Sequence, residues 1–108
     1  MAIIWETVDR LGRPVILTEA GWAHILARHD DMVERRLEIR SAIEFADEIR
    51  RDARFARHDV HYAQIRTGPL FIRVVVRYRP DASSGLIGEV VTAHLTERKK
   101  AGEQVRWP

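Results

Sequence analysis

Apolar and polar positions change their period along the chain. Ile3 to Val8 and Val15 to Leu17 are short runs of β-forming residues, and the turn-rich segment Asp9-Arg10-Leu11-Gly12-Arg13-Pro14 between them predicts a hairpin. Thr18 is a good N-cap and Glu19 suits the positive end of a helix dipole, so a first helix is expected from Glu19 to about His29. From Met32 to about Phe45, Met32, Val33, Leu37, Ile39, Ala42 and Ile43 recur near helical spacing with Glu and Arg between them, which predicts a second helix. Asp47 to Asp59 is polar and irregular and is read as a loop with a short helical turn. Val60 to Thr67, Leu70 to Tyr78 and Gly88 to Leu95 then read as strands, joined by Thr67-Gly68-Pro69 and by Pro80 to Gly85. Links this short imply antiparallel neighbours. After Thr96 the chain is charged and is expected to fray, with Trp107 free to dock. The pattern predicts an α+β fold, an N-terminal hairpin and two helices packed on a three-stranded C-terminal antiparallel β-sheet.

Successive side chains of a strand point to opposite faces. Ile72, Val74, Val76 and Tyr78 therefore share one face with Ala63, Ile65, Val91, Ala93 and Leu95. If the helices cover that face, the other gathers Tyr62, Gln64, Arg66, Arg73, Arg77, Thr92 and His94 with Val90. A solvated sheet face is the plain alternative. In the first helix Trp22, Ile25, Leu26 and His29 form one stripe, which aims His29 at the core or its rim, while His24 and Arg28 pair on another side. A lone histidine on an apolar stripe is ordinarily a core residue bonded to a backbone carbonyl.

Composition narrows this picture. The chain has 108 residues, the size of one domain, and its 45% hydrophobic and 31% charged content is that of a globular protein. It contains no cysteine, which excludes disulfides and thiolate chemistry and fits a reducing cytoplasm. No stretch has the length of a membrane span, and no basic and apolar leader precedes the first strand, so a cytoplasmic protein without membrane contact is expected. Net charge is only +2, yet 16 of the 18 Lys and Arg residues are Arg, the better fork for phosphate. Arginine richness can also follow from genomic composition.

Candidate chemistry is sparse. His24 and His29 are five apart and diverge around a helix, unlike the i, i+4 pair of a helical zinc motif. His58, Asp59 and His61 form at best a weak loop site, and no metal or cofactor is expected. Phosphate-cradling glycine loops, a serine elbow and paired carboxylates are absent.

Three segments carry a resemblance: Trp22-Ala-His24-Ile-Leu-Ala-Arg28-His29, Ile72-Arg73-Val-Val-Val76 and Val90-Val91-Thr92-Ala93-His94. In order and spacing they resemble the barnase/EndoU/colicin/RelE-like (BECR) nucleases, in particular the phage- and toxin-associated branch, over roughly Thr18 to Leu95. The resemblance implies a metal-independent ribonuclease of toxin type that cleaves RNA by attack of the 2′-OH and is held by a cognate antitoxin or immunity protein. Such cleavage needs a base, an acid and cations for the developing charge. By resemblance His29 and His94 are the acid/base pair, with His24 as a substitute for His29. Arg28 and Arg73 clamp phosphate, Thr92 orients the substrate, and Tyr62, Gln64, Arg66 and Arg77 bind it. His29 can reach such a site only if the first helix lies at the edge of the sheet.

Two other classes compete. A non-catalytic module of the same fold would bind RNA or a protein through the arginine-bearing face without cutting. An antitoxin or immunity protein is the third, but those tend to be acidic, against a sequence pI of about 9.5 here.

Overall fold

A computed structural model describes residues 2–65, 68–83 and 85–108. The chain runs through β1 (Ile3–Val8), β2 (Pro14–Thr18), α1 (Glu19–Arg28), a 3-10 turn (Asp30–Met32), α2 (Arg36–Glu44), β3 (Glu48–Arg51), β4 (His58–Gln64), β5 (Phe71–Asp81), β6 (Gly85–Thr96) and β7 (Gln104–Trp107). The strands form one seven-stranded sheet in the order β1-β2-β6-β5-β4-β3-β7. Its β2–β6 pair is parallel, through Val15 opposite Gly88 and Ile16 opposite Glu89. Hairpin, helices and antiparallel C-terminal strands appear in the predicted order, and the class is α+β. Arg66 and Thr67, at the end of the strand predicted from Val60 to Thr67, and Ser84, in the predicted turn from Pro80 to Gly85, lie outside the described residues.

The sheet is wider than the sequence pattern indicates. The hairpin is part of it, because β2 docks along the first half of β6. The segment read as a loop contains β3, and the tail expected to fray contains β7, whose Trp107 pairs opposite Ile49. β3 reads Glu-Ile-Arg-Arg with no alternation, and the Gln-Val-Arg-Trp of β7 alternates over only four residues, too few to stand out from a charged tail. Ile49 is the one apolar residue of β3 and is fully buried, while the backbone of β3 is paired on both sides by β4 and β7. A short charged strand such as Gln104–Trp107 is what a sheet edge tolerates. The second helix also starts later than expected. Met32, fully buried, plugs the core from the 3-10 turn before α2 begins at Arg36.

The main core lies between the helices and one face of the sheet. Ile25, Met32, Ile39 and Ile43 pack there against Val15, Leu17, Ile72, Val74, Val76 and Ala93. A smaller cluster of Val60, Tyr62 and Val75, with Phe71 and Val91 against it, sits on the other face. Val75 pairs with Thr92 but Val76 with Val90, so Val91 is an extra residue in β6. This bulge reverses the expected positions of the two valines: Val90 is buried in the main core and Val91 packs on the opposite face. Beyond the bulge the alternation resumes, and Thr92 and His94 point away from the main core as expected. The sheet curls enough that its two edges meet. The Arg10 guanidinium, between β1 and β2, lies 4.5 Å from the ring centre of Trp107 in β7. Among the described residues no helix is long and apolar enough to cross a membrane.

Candidate active-site groove

The end of β2 decides where α1 goes. Thr18 closes the strand and caps the helix, its hydroxyl accepting the Gly21 N–H at 3.0 Å, so α1 takes the place beside β6 that β2 leaves. The approach is close: a Cβ on Gly21 would stand 3.2 Å from the Val90 carbonyl oxygen. α1 thus lies at the edge of the sheet. Its stripe buries Ile25 fully and Trp22 and Leu26 partly, and ends on His29, the C-cap residue, at the sheet's rim. There the His29 and His94 rings stack, centres 5.0 Å apart and planes 27° from parallel.

His94 stands opposite Arg73 across the β5–β6 ladder. Burial first, then the positive charge of Arg73 and the neighbouring His29, push its pKa down to about 4, with Asp31 opposing. Its Nδ1 is buried with no hydrogen-bond partner among the described residues, so a proton there gains no acceptor. A cavity of about 330 Å³ opens at His94, lined by Arg73, Thr96, Arg98, Lys99 and Lys100. A second, of about 320 Å³, shares Arg73 and Lys100 with it and adds Phe55, His58, Val91 and Thr92. A third, of about 380 Å³, shares His58 and Val91 with the second and reaches His24, Arg77 and Glu89. Their shared walls make one groove across the face of the sheet away from α2.

Of the residues singled out by sequence, His29, His94, His24, Arg73, Arg77 and Thr92 line this groove or its rim. Arg28 is exposed on α1 one residue before His29. Two placements change the expected picture of an open basic face. Tyr62 is fully buried: its hydroxyl donates to Glu103 Oε1 and accepts the Lys100 N–H at 3.0 Å, so residues 98–103 roof this part of the sheet. Arg73 is buried beneath the same roof. Its Nη2 donates to Glu103 Oε2 at 2.7 Å, its Nε to the Tyr62 hydroxyl at 3.2 Å, and Asp52 lies 3.8 Å away. Burial works against that guanidinium's charge, but these partners hold it protonated. Arg73 therefore supplies a fixed positive field under His94. Gln64 is elsewhere, exposed at the end of β4 and lining a separate cavity against α2. Arg66 lies outside the described residues.

The free cations at the groove are ones the sequence reading left out. Arg98 and Lys100 have no ion-pair partner among the described residues, while Lys99 reaches Glu48 at 3.2 Å. The signal for them is the basic run Arg98-Lys99-Lys100, two residues past the end of β6, in a tail whose charge alone suggests fraying. The weak cluster His58, Asp59 and His61 does not converge. His58 faces the groove, while His61 turns to the other side and hydrogen-bonds Tyr78, and Asp59 binds Arg13. Compared with known proteins, the chain matches no family model, no curated protein and no solved structure.

Proposed function

We propose that the protein is a metal-independent endoribonuclease of toxin type. The observation that carries this reading is the stacked pair His29–His94 at the end of a groove furnished with Arg98, Lys100 and Arg73. His94, with its pKa near 4, is neutral at pH 7 and serves as the base that takes the 2′-OH proton. The 2′ oxygen then bonds to phosphorus, the bond from phosphorus to the 5′ oxygen breaks, and His29 donates the proton that the leaving oxygen needs. Arg98 and Lys100 hold the phosphate, the buried charge of Arg73 favours the extra negative charge of the phosphorane, and Thr92 orients the strand. RNA is the substrate, the cytoplasm the place of action, and an acidic antitoxin or immunity protein the expected partner of so basic a groove.

A non-catalytic RNA-binding module is the second reading, favoured by the ion pairs that occupy Arg73. Incubation with total RNA and tRNA in EDTA, followed by mapping of product ends, separates the two. The parent is expected to leave 2′,3′-cyclic phosphate ends, and His94→Ala or His29→Ala to cut about 10²- to 10⁴-fold more slowly. Intact RNA with folded parent protein, together with binding that weakens as salt rises, would establish the binding module instead.

A further inference from the structure

The loop between β3 and β4 overhangs the middle of the groove in a fixed shape. Asp52 Oδ1 accepts the N–H groups of Arg54 at 2.7 Å and Phe55 at 3.0 Å, and the Asp52 N–H donates to the His58 carbonyl at 2.9 Å. Arg57 takes the left-handed conformation, φ 64°, that lets its carbonyl accept the Tyr78 N–H at 2.8 Å. His58 Nδ1 donates to the Ala56 carbonyl at 2.9 Å, which fixes the orientation of the ring.

What this frame presents is aromatic. Phe55 is 53% exposed, its ring centre is 5.3 Å from that of His58, and the Arg54 guanidinium lies 5.3 Å from the same ring. A single exposed phenylalanine is ordinary on a protein surface. This one is held by turn hydrogen bonds and lines a cavity with His58 and Lys100, and His58 also lines the adjoining cavity with Arg77, whose Nη2 lies 3.9 Å from Glu89 Oε2. An aromatic face over a basic groove stacks nucleobases without regard to sequence, and only an unpaired base can turn out to meet it. Along β6, Val91 beneath the platform is three residues from His94, about 10 Å of strand, so the platform reaches the nucleotide next to a phosphate held at His94.

We infer that the groove is a track for single-stranded RNA, in which Phe55 and His58 stack the base flanking the scissile phosphate and Arg77 takes the phosphate beyond it. The inference rests on the assignment of the cleavage site to His29 and His94, and the test keeps the two apart. Binding is measured by fluorescence anisotropy with a 2′-O-methyl single strand, which has no free 2′-OH to attack, and with the same sequence as a duplex. The parent is expected to bind the single strand at least 10-fold more tightly than the duplex. Phe55→Ala should weaken single-strand binding by about 10-fold or more, as loss of one base–aromatic stack does, while Phe55→Tyr keeps it and both melt as the parent does. Equal affinity for duplex and single strand, or a Phe55→Ala protein that binds as the parent does, would overturn the track even if RNA is cut. Phe55-dependent binding by a parent that never cuts RNA would instead overturn the cleavage assignment and leave the track standing.

Discussion

His94 sits against His29 and above Arg73, and these neighbours, added to burial, depress its pKa to about 4. A base must be neutral to act, so the acid limb of cleavage, where protonation removes the base, should lie near pH 4. Lys100 contributes to the depression, so Lys100→Gln should move both the acid limb of kcat/KM and the NMR titration of His94 upward. A limb near the ordinary histidine value of about 6.5 in the parent would contradict the assignment of His94 as base. The sequence stripe ending on His29 and the alternation reaching His94 were enough to nominate both. What they left hidden was the occupation of Arg73, because Glu103 and Asp52, which bind it, lie far from it along the chain and in segments with no period to read.

At the level of elements, the tail does more than complete the sheet. Glu103 accepts from both Arg73 and Tyr62, and its side chain is fully buried. Glu103→Ala leaves a buried guanidinium short of its main partner and should cost about 3 to 5 kcal/mol in urea unfolding, while Glu103→Gln, which still accepts a hydrogen bond, should cost less. α1 was legible because its start, cap and stripe are local: Thr18, Glu19 and the spacing of Trp22, Ile25 and Leu26. β3 and β7 were not, since each is a strand only by virtue of pairing, β3 with β4 and β7 with β3. The Val91 bulge was invisible for the same reason, a feature of the register between two strands that each alternate well by themselves.

On the scale of the whole molecule, the curled sheet is drawn together by a buried polar network. Arg13, from the β1–β2 turn, binds Asp9 and Asp59, each at 2.8 Å. Tyr78 donates to Asp9 at 2.6 Å, so its oxygen must accept from His61 Nε2 at 3.0 Å, which leaves the neutral ring's Nδ1 unprotonated and without a partner among the described residues. Desolvation then lowers the His61 pKa to about 4, against the pull of Asp9 and Asp59. A depressed folded pKa gives stability that is fully present above the unfolded value of about 6.5 and is lost as pH falls through 4. Over that window the loss from His61 should be on the order of 3 kcal/mol. Urea midpoints measured at pH 7 and pH 4.5 in the parent and in His61→Gln test this: the parent should lose more stability than the variant on acidification, and equal losses would assign the acid sensitivity to other groups.

The order of the chain adds a consequence in time. Ribosomes make the two histidines of the groove before they make Lys100, Glu103 and β7. Until residues 98–107 emerge, Arg73 and Tyr62 have no roof, β3 lacks one neighbour, and two cations of the groove, Arg98 and Lys100, are still to come. A nascent chain that has reached β6 but not Glu103 is therefore a sheet with β3 open along one side and a guanidinium still waiting for its carboxylate.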